Sequence, residues 1–344
     1  MTKIYEIKDK VLRFCSEYET YLKYAWKFVI ALLLFGIING SIGFMEKING
    51  PFITIALSLL CCMLPLGATL VIAAGLVVVH LYVLAAEVAL MAVLVFAVVF
   101  LLYFRFSPHD TLLFMVTPLL CVIGIPYVVP ISAGLLRKGH SAASIVSGTI
   151  VYYFLNGVYK NVAVLQAIAA GEDIEGAKMS VAAGQLLENT ELYLMLTVFT
   201  ISTLLVYTIR KMAIKYAWTI AIVTGVLVQI TGLLVGYIWF NITEKVVGML
   251  IGNILAAGIA FGIEFLFMNL DYMRTERVQF EDDDYYYFVK AVPKKLVTSS
   301  EKVITEFGGL TGFAHRMKAR KEAEEKITRK NIADELEIDE ELLK

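Results

Sequence analysis

The chain has 344 residues, of which 59% are hydrophobic, and its mean hydropathy is +0.73. Charged residues make up 18%, below the ~25% of ordinary soluble domains, and their formal sum is −1. They crowd the first 27 residues and the part after Asp271, without a basic stripe of the kind that binds nucleic acid. This composition argues against a soluble domain and a nucleic-acid partner, and it predicts a protein that resides in a lipid bilayer.

The four cysteines stand at positions 15, 61, 62 and 121, and no two of them form a Cys-x-x-Cys pair. This spacing is not that of a metal site, so we interpret them as small side chains without a chemical role. We expect no cofactor and no metal.

Residues 1–25 are predicted to form an amphipathic helix ahead of the first span. Apolar side chains recur there at spacings of three and four, at Ile4, Ile7, Val11, Phe14, Tyr18 and Tyr21. This spacing places them on one face of a helix, with charged side chains around it. Such a helix lies in the bilayer interface or against the protein's own helices, and a short self-associating coiled coil is the alternative.

Eight hydrophobic segments follow, each long enough to cross ~30 Å of hydrocarbon at ~1.5 Å per residue. Only helices and closed barrels satisfy the backbone inside lipid, so these lengths predict an all-α transmembrane domain over residues 26–270. The segments cover residues 26–43, 52–79, 81–104, 111–136, 142–167, 191–209, 217–240 and 246–270.

Lysine and arginine in the loops predict the orientation, because short cytoplasmic loops carry an excess of them. Basic residues cluster in the N-terminal segment, at Arg137–Lys138, at Arg210–Lys211 and after the last span, whereas residues 168–190 are mainly acidic. This distribution predicts a multi-pass protein of the cytoplasmic (plasma) membrane. Both termini are then in the cytoplasm, and the acidic loop is outside.

The number of spans is open between six and eight. Pro65 and Gly67 interrupt the second segment, and Gly124 and Pro126 interrupt the fourth. Proline and glycine are common in membrane helices, which favours two kinked full spans and a turn at residues 79–81. The alternative is two re-entrant hairpins of paired half-helices, which moves Arg105 from the outside to the inside and agrees better with the charge rule.

A short repeat links these two interrupted segments. Leu59-Leu60-Cys61 precedes His80 by the interval that separates Leu119-Leu120-Cys121 from His140. A duplication would be informative, because many transporters build a site at the membrane midplane from repeats with broken helices.

Glu87 is the strongest candidate for chemistry within the membrane. If the third span begins near Leu81, Glu87 lies ~10 Å along the helix, where an unpaired carboxylate costs several kcal/mol. His80 lies seven residues earlier and would share its helix face, and a protonatable pair of this kind suits proton-linked transport. The structural alternative is a neutral Glu87 that is hydrogen-bonded to a hydroxyl group.

Other polar features are weaker candidates. The backbone at the helix breaks is predicted to line a path, through Pro65, Gly67, Gly124 and Pro126. Snorkelling and interhelical hydrogen bonds are sufficient explanations for the secondary polar residues, which are Glu264, Asn253 and Gln229. Gly-x-x-x-Gly pairs in the last two spans, at 232/236, 248/252 and 258/262, predict that these spans pack on each other, with a dimer seam as the alternative.

Residues 271–344 are predicted to form a cytosolic tail. Residues prone to β structure flank an acidic run and predict a strand pair over residues 278–297, and a polar helix is predicted over residues 313–330. The stretch from Arg277 through Lys290, with Ala291-Val292-Pro293-Lys294 after it, resembles the juxtamembrane segment of uncharacterised bacterial polytopic membrane proteins with generic permease labels. The resemblance implies a similar layout of spans and assigns no activity.

The sequence predicts a permease-like protein that moves a small solute or ion, with Glu87 and His80 as a proton-linked site. The alternative is a non-catalytic membrane scaffold or assembly partner that acts through its N-terminal segment and C-terminal tail. Expected partners are the bilayer, an unknown small solute or ion, and a second copy or another membrane protein. The sequence contains no His-Glu-x-x-His, Gly-x-Ser-x-Gly or phosphate-binding loop motif, so we do not expect an enzyme.

Overall fold

The structure, a computed structural model, describes residues 2–165, 177–212, 214–268, 276–281 and 286–291. Within these residues seven helices are long and apolar enough to cross a membrane, which confirms the predicted all-α membrane fold. The helices are α1 (Thr2–Glu17), α2 (Glu19–Ile42), α3 (Pro51–Met63), α4 (Leu66–Leu84), α5 (Ala86–Phe106), α6 (Thr111–Ile123), α7 (Val128–Leu136), α8 (Ala142–Lys160), α9 (Ala177–Leu187), α10 (Thr190–Lys211), α11 (Ala217–Trp239) and α12 (Val246–Phe267). The strands are β1 (Glu276–Glu281) and β2 (Tyr286–Ala291).

The chain divides into two units, Met1–Leu296 and Val297–Lys344. The predicted polar helix over residues 313–330 belongs to the second unit and lies outside the described residues. Within the first unit, β1 and β2 pair antiparallel with Glu276 opposite Ala291, which confirms the predicted strand pair.

The N-terminal segment is helical as predicted, but it is interrupted at Tyr18, and α2 already begins at the next residue. Ile7, Val11 and Phe14 form an exposed apolar face on α1. Lys8, beside this face, is buried and donates hydrogen bonds to main-chain carbonyls at the end of α12. α1 is thereby held at that end of the helix bundle with its apolar face uncovered by the described protein, as an interfacial helix requires.

The second predicted segment is two helices that run in opposite directions. Lys27 Nζ of α2 donates to the carbonyl of Leu64 at 2.9 Å, and Asn39 Nδ2 donates to Thr54 Oγ1 at 2.8 Å, so α3 returns along α2. Pro65 then starts α4, since proline has a fixed φ and needs no helical hydrogen bond at that position. α3 and α4 both pack on α2 and hardly touch each other.

The prediction of a turn at residues 79–81 is wrong. α4 continues to Leu84, and one residue in extended conformation, Ala85, joins it to α5. Both helices are apolar throughout this region, so hydropathy carries no signal for the boundary.

The fourth predicted segment is a re-entrant hairpin formed by α6 and α7. Asp110, before α6, and Arg137, after α7, form an ion pair at 3.5 Å, so the hairpin begins and ends at the same end of the bundle. Gly124 reverses the chain in the left-handed region, at φ 89°, where other residues are strained. The Tyr127 ring then packs on Phe199, nine residues or ~13 Å along α10, so the hairpin tip lies near mid-depth.

Kinked full spans are therefore the wrong interpretation of both interrupted segments. The hairpin alternative is right in that each segment returns to the end where it started, and it places Arg105 at the same end as Arg137. It is wrong for the second segment, because α4 is not a half-helix: it has 19 residues and is one of the seven helices long enough to cross a membrane. α3 and α6 have 13 residues each, begin at Pro51 and Thr111 and run in opposite directions.

We call the end of the bundle that contains Arg105, Arg137 and Arg210 the basic end. Arg210 at the end of α10 donates hydrogen bonds to the carbonyls of Leu135 and Arg137. Thr219 Oγ1 at the start of α11 donates to Glu264 Oε1 near the end of α12, at 2.6 Å. Because α1 contacts the end of α12, both termini of the described helical bundle lie at this basic end.

Glycines allow α10 to approach its neighbours closely. A Cβ atom on Gly134 of α7 would lie 2.7 Å from the Val206 side chain and 2.9 Å from the Thr203 carbonyl oxygen. Gly232 and Gly236 likewise face α10, although we expected them to face the last span. Around Gly248, Gly258 and Gly262 a Cβ atom would meet no atom within 4 Å.

Candidate functional site

His80 belongs to a hydrogen-bonded chain that joins three helices. Its Nδ1 accepts from the Met45 amide at 3.2 Å, and its Nε2 lies 3.0 Å from Asn39 Oδ1. Asn39 donates to Thr54 Oγ1, which in turn donates to the Gly50 carbonyl at 3.0 Å. Neutral imidazole with its proton on Nε2 satisfies both nitrogen atoms. A fully buried His80 is thus accounted for by holding α2, α3 and α4 together.

Glu87 lies in the first turn of α5, because that helix begins at Ala86. The expected depth of ~10 Å along a helix from Leu81 is therefore wrong, and so is the shared helix face, since His80 is on α4. A carboxylate in a first turn interacts favourably with the helix dipole. Glu87 Oε2 is nevertheless buried without a hydrogen-bond partner among the described residues. The proton-linked role of His80 and Glu87 stays a prediction.

A cavity of about 360 Å³ lies beside the tip of the re-entrant hairpin, and we call it the hairpin cavity. Its walls come from the break between α6 and α7 and from α8, α10, α11 and α12. Of the four predicted break residues, Gly124 and Pro126 line it, whereas Pro65 and Gly67 line neither of the two cavities described here. The full lining is Cys121, Gly124, Pro126, Tyr127, Thr149, Tyr152, Tyr153, Glu191, Met195, Phe199, Tyr237, Glu244, Lys245, Gly248 and Met249.

Four tyrosines give this cavity an aromatic, polar wall. Tyr152 and Tyr153 are neighbours on α8 whose rings meet at 81°, with centroids 5.2 Å apart. Tyr127 meets Phe199 at 87°, and Tyr237 lines the same cavity. A phenol presents both an apolar ring and a hydroxyl group that can donate or accept, so the wall suits a solute that is only partly polar.

Charged residues stand at the mouth of the cavity, away from the basic end. Glu191 lies in the first turn of α10, which Asn189 caps by accepting a hydrogen bond from the Leu192 amide at 3.1 Å. Lys245 Nζ lies 2.5 Å from Glu191 Oε2. The Glu191 side chain is 15% exposed and the Lys245 side chain 48%, so the carboxylate is the deeper member of the pair.

A second cavity, of about 310 Å³, lies on the other side of α6 and is lined mainly by apolar residues. α2, α4, α6 and α8 form its walls, with Ser41, Asn156 and Tyr159 among its few polar residues. Tyr152 lines both cavities. The hairpin helix α6 therefore separates the two cavities.

α6 is itself an irregular helix. Pro118 within it has no N–H group, which frees the carbonyl of Phe114 one turn earlier. Gly148 of α8 packs there so closely that a Cβ atom would lie 2.7 Å from that carbonyl oxygen. Proline and glycine thus fix the contact between the hairpin and α8.

The secondary polar residues lie in helix contacts outside the hairpin cavity. Gln229 and Asn253 are fully buried, and each donates a hydrogen bond, to Ser202 Oγ and to the Met249 carbonyl. Their oxygen atoms have no partner within the described residues. Glu264 accepts a hydrogen bond from Thr219 of the neighbouring helix α11.

The residues that build the hairpin cavity were largely missed from the sequence. Glu191 was counted only as the start of a span, and the tyrosines drew no attention. One usable signal was the position of Tyr152 and Tyr153 in the middle of a span, since membrane tyrosines concentrate at the two interfaces. A second was Asn189, two residues before Glu191, which marks a capped helix start.

Fold and cavities together define a polytopic all-α membrane protein with a re-entrant hairpin. Comparisons with family models, with curated proteins and with solved structures gave no match. The resemblance to permease-labelled bacterial proteins therefore stays a prediction. Function has to be argued from the geometry of the hairpin and its cavities.

Proposed function

We propose that this protein is a permease that moves a small solute or ion across the membrane through the hairpin cavity. The observation that supports this proposal most directly is that the break between α6 and α7 lies at mid-depth and forms one wall of a polar cavity. Irregular backbone at membrane depth is tolerated only where it is buried in protein or lines a cavity. Broken helices at the midplane are the usual way in which transporters build a substrate site.

The distribution of charge supports an orientation for this permease. Arg105, Arg137, Lys138, Arg210 and Lys211 all lie at or next to the basic end. By the positive-inside rule that end faces the cytoplasm, and the mouth of the hairpin cavity, at Glu191 and Lys245, faces outward. We place the protein in the cytoplasmic membrane with both termini inside.

The inner side of the path is closed in this conformation. Ser141 Oγ donates to Asp110 Oδ2 at 2.5 Å, and Ser107 Oγ and Ser144 Oγ are 2.7 Å apart. These buried contacts fasten the base of the hairpin to the start of α8. A cavity open at the mouth and closed at the basic end is the outward-facing state of an alternating-access carrier.

Gly248 offers a direct test. It lines the hairpin cavity, and a Cβ atom there would meet nothing within 4 Å, so Gly248→Phe fills the cavity without a clash at Cβ. Gly258, on the same helix, has the same open surroundings but does not line the cavity, and Gly258→Phe is the matched control. Uptake of a panel of radiolabelled small cations, anions and neutral solutes is measured in proteoliposomes.

We expect wild type and Gly258→Phe to accelerate uptake of at least one solute over empty liposomes, and Gly248→Phe to lose this acceleration. Transport is ruled out if no solute in the panel crosses faster than in empty liposomes. The cavity is ruled out as the path if both variants transport equally. The scaffold alternative predicts no uptake at all. It also predicts that assembly with a partner depends on α1, whose apolar face is exposed.

A further inference from the structure

We infer that the hairpin cavity binds a small organic cation, an amine or quaternary ammonium ion, with Glu191 as its counter-charge. The inference rests on the proposed function, because it names the class of solute that would occupy the same cavity. It concerns equilibrium binding, which is measurable whether or not the protein transports.

The charge of the cavity is the first reason. Its charged lining residues are Glu191, Glu244 and Lys245, which sum to one negative charge when all are ionised. Glu191 is the less exposed member of its ion pair with Lys245. Its charge acts on the tyrosine hydroxyl groups of the cavity wall. A cation is therefore drawn to the mouth of the cavity, towards Glu191.

The aromatic wall is the second reason, because it selects the type of cation. Aromatic ring faces attract weakly hydrated ammonium groups, and cages of several aromatic rings recognise quaternary ammonium ligands. Two ring pairs that each meet near a right angle, Tyr152 with Tyr153 and Tyr127 with Phe199, present ring faces in different directions. A metal ion is a poorer fit, since within the described residues no group of three His, Cys, Asp or Glu side chains lies together.

Lys245 is the third reason, because its side chain already places an alkylammonium group on Glu191. Nζ lies 2.5 Å from Oε2, and the lysine side chain is about half exposed, so it is free to swing out at little cost. The lysine thus acts as an internal competitor. An amine that binds in the cavity takes over the carboxylate and releases the lysine to solvent.

This competition predicts opposite effects of two substitutions at one ion pair. Binding of tetramethylammonium to the purified full-length protein in detergent is measured by isothermal titration calorimetry, with sodium acetate as the anionic comparison. We expect Lys245→Met to bind tetramethylammonium about fivefold more tightly, because it removes the competitor. Glu191→Gln is expected to lose binding at least tenfold.

The matched control is Glu46→Gln. Glu46 is an exposed carboxylate that lines neither cavity, so the affinity of this variant for tetramethylammonium is expected to stay within twofold of wild type. The exchange Glu191→Lys with Lys245→Glu keeps an ion pair and serves if Glu191→Gln does not fold; it is expected to abolish binding. Acetate is expected not to bind to any of these proteins.

The inference is overturned if tetramethylammonium does not bind to wild type, or if Lys245→Met and Glu191→Gln shift its affinity in the same direction. Binding with the expected pattern but without uptake in proteoliposomes would refute the permease and leave the cation site standing. Uptake of a neutral or anionic solute at a rate that neither substitution changes would support the permease and refute the cation site.

Discussion

Asp110 and Arg137 are separated by the whole re-entrant hairpin, yet the guanidinium group of Arg137 lies 3.5 Å from the Asp110 carboxylate. The same carboxylate accepts a hydrogen bond from Ser141. Asp110 is buried and Arg137 is about half exposed, so most of the stabilisation comes from the buried hydrogen bond rather than from the ion pair. These contacts fasten both ends of the hairpin to the basic end of the bundle.

We therefore expect Asp110→Ala to destabilise the protein by about 1–3 kcal/mol, since it leaves the Ser141 hydroxyl group without its acceptor. Asp110→Asn keeps an acceptor and loses only the charge, and is expected to cost less. The stability of both variants is measured by thermal unfolding in detergent, with size-exclusion chromatography as the readout of folded protein. Equal stability of wild type and Asp110→Ala would show that the hairpin does not depend on this contact.

The hairpin topology predicts which loops share a side of the membrane. Single cysteines are introduced at His109, Lys138, Lys47 and Glu244, all of which are exposed, in a background without the four native cysteines. A membrane-impermeant maleimide applied to intact cells is expected to label positions 47 and 244 and to spare 109 and 138 until the cells are opened. Labelling of 109 without 138 would mean that α6 and α7 together cross the membrane.

The chain of hydrogen bonds around His80 predicts a cost for removing its central member. Asn39→Ala leaves the buried Nε2 of His80 without a partner and removes the hydrogen bond that Thr54 Oγ1 accepts, and we expect a loss of about 1–3 kcal/mol. Thr231→Ala is the control, because Thr231 is exposed and bonds only within its own helix. It should change stability by less than ~0.5 kcal/mol in the same melting assay.

Two glycines in helices predict opposite outcomes for the same substitution. Gly134→Ala is expected to destabilise by about 1–3 kcal/mol, because its Cβ atom would overlap the Val206 side chain and crowd the Thr203 carbonyl. The Cβ atom that Gly258→Ala adds meets nothing within 4 Å, so this substitution is expected to leave the protein's stability unchanged or to raise it by up to ~1 kcal/mol. A ranking in the opposite order by thermal unfolding would contradict the close packing of α7 on α10.

Glu87 lines neither cavity and stands at a helix start. In the proteoliposome assay we therefore expect Glu87→Gln to transport within twofold of wild type and to keep its dependence on external pH. Gly248→Phe, measured in parallel, sets the scale for a blocked path. Loss of the pH dependence in Glu87→Gln alone would instead restore the proton-linked role that its position in the sequence suggested.

Hydropathy was enough to place most of the spans. α10, α11 and α12 lie within three residues of their predicted bounds, and α2 and α5 begin seven residues before and five residues after theirs. Runs of apolar side chains leave the chain no alternative to a helix in lipid. Gly124 and Pro126 were identified as a helix break from residue type, since glycine adopts a positive φ without strain and proline lacks the N–H group of a helical hydrogen bond.

The site itself was not predictable in this way. Tyr127, Tyr152 and Tyr237 come from three separate parts of the chain, and nothing in their local sequence indicates that they face one cavity. Glu87 attracted attention as the lone carboxylate in a long apolar run. Whether that carboxylate is deep or at a helix start depends on a boundary at Ala85 that hydropathy does not mark.

The sequence by itself determined that the chain resides in lipid, that it is helical and that a helix is interrupted at Gly124. Each of these follows from the chemistry of single residues or of one continuous segment. Tertiary structure alone decided that the break turns the chain back, that α3 returns along α2, and that Glu191 lines the same cavity as four tyrosines. Those outcomes depend on contacts between helices, and inside a bilayer such contacts arise from side-chain packing and hydrogen bonds rather than from hydrophobicity. Hydropathy, the main signal in this sequence, is therefore silent about them.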